Sequence, residues 1–151
     1  MFIKKDLRKI EEILADETDT RDSLKLSKRP GEFQGSVRAL CRESRIPALA
    51  NLRVLNLYEN ELTSLQGIGM LSQSPLEELN LGFNKISTIP LEFGSLTSLR
   101  TLWLDDNNLE QFPVCLCQLK GLVSLRLSSN DLQTLPMSIS SLQSLETLVS
   151  V

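Results

Sequence analysis

The sequence predicts an α/β repeat solenoid. Short parallel strands line its concave side, irregular or 3₁₀ returns its convex side, and a helical cap opens it. Three observations carry this reading. First, the phrase Leu-x-x-Leu-x-Leu-x-x-Asn occurs four times: at Leu52, Leu55, Leu57, Asn60; at Leu76, Leu79, Leu81, Asn84; at Leu99, Leu102, Leu104, Asn107; and at Leu122, Leu125, Leu127, Asn130. A fifth copy begins at Leu145 and Leu148. Second, the copies start 24, 23, 23 and 23 residues apart, a period at which one coil stacks on the next. Third, leucine makes up about a fifth of the 151 residues while aromatics are 5%. A stacked core built from one size of aliphatic side chain needs that composition.

Residues 1–50 are read as an N-terminal cap and 51–151 as the repeats, the last incomplete. In the cap, Ile3, Leu7, Ile10 and Leu14, with Ile13 beside them, fall at helical spacing, and Lys4, Lys5, Arg8, Lys9, Glu11 and Glu12 fill the other face. This predicts an amphipathic helix over 2–15, whose apolar stripe is expected to cover the first coil, the alternative being a docking helix for a partner or membrane. Residues 23–50 are read as a degenerate repeat with an insertion. Leu24 and Leu26 take the fourth and sixth places of the phrase, Pro30-Gly31 turns the chain, and Val37, Leu40 and Cys41 suggest a short helix ending near Pro47.

Within each repeat, the Leu-x-Leu pair alternates inward and outward as a strand does. The Asn amide both donates and accepts, so Asn60, Asn84, Asn107 and Asn130 are expected to form a structural ladder that pairs backbone groups left open by the turn. Pro90, Pro113 and Pro136 fix φ and remove a donor, which suits a short return and not a long helix. The first repeat has Gln66-Gly67 in place of that proline and one extra residue near Ser72–Pro75, so its return should bulge.

Composition narrows the function. Histidine is absent, which removes the commonest general base and metal ligand. No Gly-rich phosphate loop is completed by Gly67-Ile68-Gly69. Cys115-Leu116-Cys117 is the one metal-like spacing. A structural zinc site needs four ligands, and Leu116 as an inward anchor should turn both cysteines away from the core. The expectation is no enzyme, no cofactor and no metal. The net charge is −3, with 11 Lys/Arg against 9 Asp/Glu in residues 1–50 and 5 against 10 in residues 51–151. An acidic repeat argues against nucleic acid. Three cysteines without paired clusters, a charged N-terminus and no long apolar run predict a cytoplasmic chain with no membrane span.

What remains is the outward face of the strands, at the third, fifth, seventh and eighth places of the phrase. There stand Val54, Asn56, Tyr58, Glu59; Glu78, Asn80, Gly82, Phe83; Thr101, Trp103, Asp105, Asp106; and Ser124, Arg126, Ser128, Ser129. The sole Trp and sole Tyr are both on it, and such rings outside a core favour a contact. Tyr58, Glu59, Glu78, Phe83, Trp103, Asp105, Asp106 and Arg126 are therefore the candidate partner-binding residues. Phe83 is expected to be partly tucked under the turn, and Asp105-Asp106 to be a solvated acidic pair. The partner expected is a protein with a basic surface.

The 23-residue period with Ile89-Pro90, Phe112-Pro113 and Leu135-Pro136 after the anchor resembles the intracellular leucine-rich repeats of the Ras-binding scaffold and plant Ras-group class. The resemblance covers residues 52–151. It implies a leucine-rich-repeat solenoid acting by non-enzymatic protein recognition, as a scaffold or adaptor in signalling. The alternative is a regulatory or targeting repeat of a larger enzyme or enzyme complex. Because the fifth copy lacks its Asn and return, the end of the array is expected to be open, either as part of a longer array or as a site of end-to-end self-association.

Overall fold

The computed structural model describes residues 8–16, 18, 20–41 and 49–150. Six strands form one parallel sheet in chain order: β1 (Ser23–Lys25), β2 (Val54–Asn56), β3 (Glu78–Asn80), β4 (Thr101–Trp103), β5 (Ser124–Arg126) and β6 (Thr147–Val149). The register is that of the phrase. Leu24, Leu55, Leu79, Leu102, Leu125 and Leu148 stand side by side, each one coil from the next. The sixth-place residues Leu26, Leu57, Leu81, Leu104 and Leu127 are buried with them. Repetition of one side chain at one place thus builds the core as a column, in which each coil contacts its neighbours.

The returns are 3₁₀ segments: Ile68–Gln73, Leu91–Ser95, Val114–Gln118 and Met137–Ser141. They pack in series opposite the sheet. Pro90, Pro113 and Pro136 each stand just before a segment, with φ near −70°. Gly67 replaces them at φ 92°, a conformation that favours glycine, and the segment that follows is one residue longer than the others. The extra residue lengthens the return. Glu92 of the next coil accepts a hydrogen bond from the Gly67 N–H.

In the cap, α1 (Ile10–Ala15) buries Ile10, Ile13 and Leu14 in the core; the helix expected over 2–15 is not continuous, because Lys9 is extended (φ −64°, ψ 153°) and α1 starts after it, and Ile3 and Leu7 lie outside the described residues. Its first turn is held by two carboxylates. Glu12 accepts from the Lys9 N–H (3.0 Å), and Glu32 from the Ile10 N–H (2.7 Å). Pro30-Gly31 does not make a simple turn. It opens a short helix, α2 (Pro30–Phe33), because a proline is pre-set for the first helical position, and Gln34 ends it at φ 51°. A 3₁₀ segment, Val37–Ala39, follows. Arg29 occupies the ladder place of this irregular coil. It is buried, donates to the Arg8 carbonyl and pairs with Glu32 at 3.2 Å, which ties β1's exit to α1.

At the other end β6 is exposed along its whole length, with Leu148 and Val149 uncovered. Among the described residues no helix is long and apolar enough to cross a membrane.

Candidate functional site

Every coil leaves its strand by the same route. The eighth-place residues Lys28, Glu59, Phe83, Asp106 and Ser129 all have φ between 53° and 61°. None is glycine, and each left-handed residue costs on the order of 1 kcal/mol. The ninth-place Asn offsets that cost by tying the turn to the coil before it. Asn84 Nδ2 donates to the carbonyls of Leu57 (3.1 Å) and Leu81 (2.9 Å), while its Oδ1 accepts from the N–H groups of Asn60 (3.0 Å) and Leu62 (2.9 Å). Asn107 donates to Leu81 and Leu104 and accepts from Ile86. Asn130 donates to Leu104 and Leu127 and accepts from Leu109. Asn60 donates to Leu26 and accepts from the Arg29 N–H.

The left-handed turn decides where the aromatic side chains go. Phe83 is not tucked under the turn: at φ 54° its ring is thrown outward and is 49% exposed. It meets Tyr58 at a centroid distance of 5.0 Å and a tilt of 47°, within the range favoured by aromatic pairs. Trp103 ends β4 between Asn80 of β3 and Arg126 of β5, and is half-buried.

These residues enclose one depression of about 240 Å³, lined by Tyr58, Asn80, Gly82, Phe83, Trp103, Asp105, Asp106 and Arg126. Six of the eight candidate residues thus come together. Gly82 forms part of the lining because it occupies the seventh place, where Tyr58 and Asp105 carry side chains. A Cβ there would stand 3.2 Å from Asn80 Oδ1 and 3.5 Å from the Tyr58 ring. The missing side chain at a repeated outward place was the available signal for this depression. Asn80 contributes by folding back, with Oδ1 accepting from the Gly82 N–H at 2.9 Å.

Electrostatically the face is less acidic than its composition suggests. Asp105 is buried, not solvated. Its Oδ2 lies 3.0 Å from Arg126 Nε, and its Oδ1 accepts from the Ser128 N–H at 3.2 Å. It therefore fixes Arg126 on the rim and pairs a backbone donor of the next coil. Glu59 is paired with Lys28 at 3.3 Å and does not line the depression. Glu78, at the start of β3, stands outside it too. Asp106 and Glu78 carry no ion pair among the described residues.

The three cysteines lie away from this depression. Cys115 is buried beside Leu116 and not turned away, because in a tight 3₁₀ segment adjacent residues both reach the core side. Burial raises its thiol pKa. Cys41 is pushed up to about 12 by burial and by the Glu92 carboxylate, which leaves its thiol protonated at neutral pH. Among the described residues no three His, Cys, Asp or Glu side chains cluster as metal ligands would.

Residues 36–151 match the model of the leucine-rich repeat region. The chain belongs to the leucine-rich-repeat family. Two solved solenoids share its shape. A leucine-rich-repeat protein of Leptospira interrogans is 30% identical, with a TM-score of 0.72 over 98% of this chain and 36% of that one. An internalin from Listeria monocytogenes is 20% identical, with a TM-score of 0.67 over 95% of this chain and 37% of that one, a likeness of fold alone. Among curated relatives, rat osteomodulin is 36% identical over 42% of this chain and 16% of its own length. The human volume-regulated anion channel subunit LRRC8A is 36% identical over 50% of this chain and 10% of its own. An adenylate cyclase of Schizosaccharomyces pombe is 35% identical over 52% and 5%. The chain thus spans at most 16% of these three relatives. A leucine-rich-repeat solenoid is in general a scaffold for protein interaction, and the Ras-binding subclass is not distinguished by these matches.

One substitution separates stability from recognition at this site. Phe83→Gly removes an exposed ring and relieves a left-handed non-glycine residue, against the added freedom of glycine in the unfolded chain. The urea midpoint should correspond to a change within about 1 kcal/mol. Loss of more than that would show that the Phe83–Tyr58 pair is part of the core and not of a free surface.

Proposed function

We propose that this chain recognises another protein, without catalysis, through the depression around Trp103 on its concave face, as a cytoplasmic scaffold or adaptor in signalling. The observation that supports it most is the gathering of the only Trp and the only Tyr with Phe83 and Arg126 in one shallow depression outside the core. Trp, Tyr and Arg supply most of the strong contacts at protein interfaces, since each joins a large apolar body to a polar tip. Asp106 and Glu78 favour a partner with basic side chains opposite them. Free thiols at Cys41, Cys115 and Cys117 suit a reducing compartment.

The test is capture of partners by the wild-type chain and by Trp103→Ala. The alanine variant should lower the affinity of the captured protein by at least about 2 kcal/mol, roughly 30-fold, if Trp103 is a central contact. The affinity should also fall moderately between low and physiological salt, because the Asp106 and Glu78 carboxylates are screened beyond ~8–10 Å. A partner bound equally by both forms, or with an affinity indifferent to salt, would refute the concave contact or its charge preference respectively.

A second reading keeps the same face in a different setting. The matching stretches are 10% of an anion-channel subunit and 5% of an adenylate cyclase. The chain would then be the regulatory or targeting repeat of a larger enzyme or enzyme complex. An enzymatic subunit recovered in stoichiometric amount with the wild-type chain would favour this reading over a free adaptor. The uncovered Leu148 and Val149 of β6 further suit end-to-end pairing. Light scattering at rising concentration should show mass growing beyond the monomer, and a constant monomer mass would exclude it.

A further inference from the structure

The convex side carries a line of side chains that the concave reading does not use. Three returns open on a proline, and the residue after it is apolar each time: Leu91, Val114 and Met137. They are 76%, 59% and 92% exposed. The core does not need them, because the inward places two residues on are already held by Phe93, Leu116 and Ile139. The 3₁₀ segments pack in series, so the three form one stripe along the solenoid axis. Single exposed apolar residues are ordinary, whereas a contiguous patch marks a contact. A groove of about 250 Å³ lies at the Leu91–Val114 part of the stripe, with Ile89 and Phe112 also among its walls. A more polar depression adjoins it through Phe112 and is walled by Glu110 and Asp131. Neither carboxylate has an ion-pair partner among the described residues.

We propose that this stripe and groove receive an amphipathic, basic helix of a partner protein. Three properties select that occupant. The stripe presents apolar atoms where water would otherwise lie, so the occupant's facing side must be apolar. The repeat sets the spacing: coils are ~4.8 Å apart at the sheet, and curvature widens this toward the outside. A helix advances about 5.4 Å per turn, so residues at i, i+4 and i+7 set one apolar side chain against each coil. Finally, Glu110 and Asp131 wall the depression that adjoins the groove through Phe112, where the polar margin of the helix would carry Lys or Arg. This surface lies opposite the Trp103 depression and stands independently of it.

The probe is a synthetic peptide of about 18 residues with leucine and lysine at helical spacing, compared with its scrambled form and a form with glutamate for lysine. Titration calorimetry uses the full chain. The basic amphipathic peptide should bind, and the scrambled and acidic ones at least ~10-fold more weakly. The triple variant Leu91→Ser, Val114→Ser, Met137→Ser should also lose at least ~10-fold while its circular dichroism melt persists, since these side chains are exposed. Glu110→Gln with Asp131→Asn should lose several-fold at low salt only. Trp103→Ala should bind as wild type. Equal binding by the triple variant or by the acidic peptide would overturn the proposal. So would loss of binding in Trp103→Ala, which would move the peptide to the concave face. Two other results also overturn it: binding to phosphatidylcholine vesicles without peptide binding, abolished in the triple variant, assigns the stripe to a membrane surface. A dimer by light scattering that the triple variant dissociates assigns it to a second copy of the chain.

Discussion

Phe93→Ala is expected to destabilise the chain by about 3–5 kcal/mol, the largest effect of any single truncation considered for this fold. Phe93 is fully buried and is the bulkiest of the fully buried side chains. It lies in the 3₁₀ return of a central coil, and the residues at the equivalent place of the next two returns, Leu116 and Ile139, are aliphatic. Removing its ring leaves a cavity that the prolines and short hydrogen-bonded turns on either side prevent from closing. The position also couples neighbours. Stability in a solenoid is a sum of coil and interface terms, and a void in a central coil weakens two interfaces at once. Urea unfolding should show both a lower midpoint and a shallower transition, as the two halves begin to unfold separately. Ile139→Ala, at the equivalent place of the last full return, removes a half-buried side chain and should cost less. Equal losses at the two sites would mean that depth in the stack does not govern stability.

Asn84→Ala is the second large expectation, at about 2–5 kcal/mol. The substitution leaves the buried N–H groups of both Asn60 and Leu62 without their acceptor, and removes the donor to Leu57. Each buried group left open costs about 1–3 kcal/mol. Asn130→Ala removes a half-buried amide that accepts from one backbone N–H, and should cost clearly less. Asn84→Asp tests the same point differently. It keeps the acceptor but sets a carboxyl oxygen against the Leu57 and Leu81 carbonyls, so its stability should fall as pH rises and the buried carboxyl ionises. A midpoint for Asn84→Ala within experimental error of wild type would show that water replaces the amide without loss.

The repeat made the fold legible because one side chain recurs at one place. Leu55, Leu79, Leu102 and Leu125 need no long-range information to be assigned inward, since each confirms the others. Their register in the sheet follows from the period alone. The irregular leader had no such redundancy. Pro30-Gly31 was compatible with a turn or with a helix start, and the choice depends on Arg29 and Glu32 reaching α1, a tertiary contact. The same limit applied to the face. That Tyr58, Trp103 and Arg126 point outward follows from strand alternation. That Phe83 swings out beside Tyr58 follows from a left-handed turn, which no residue type at the eighth place announces. Asp105 looks like its neighbour Asp106 in sequence, yet one is tied to Arg126 and Ser128 and the other carries no ion pair among the described residues, because the seventh and eighth places face different surroundings. Exposed apolar residues after the prolines were visible as letters. Their exposure was not, because the core anchor of each return lies only two residues away.

The most direct measurement of the central claim is site-specific photo-crosslinking. A benzoylphenylalanine at Phe83 points from the rim of the depression, and one at Ser72 points from the exposed convex return of the first repeat. With the captured partner present, concave recognition predicts a crosslink from position 83 that Trp103→Ala abolishes, and none from position 72. A crosslink from position 72 alone, or one from position 83 that Trp103→Ala leaves intact, would contradict recognition through the Trp103 depression.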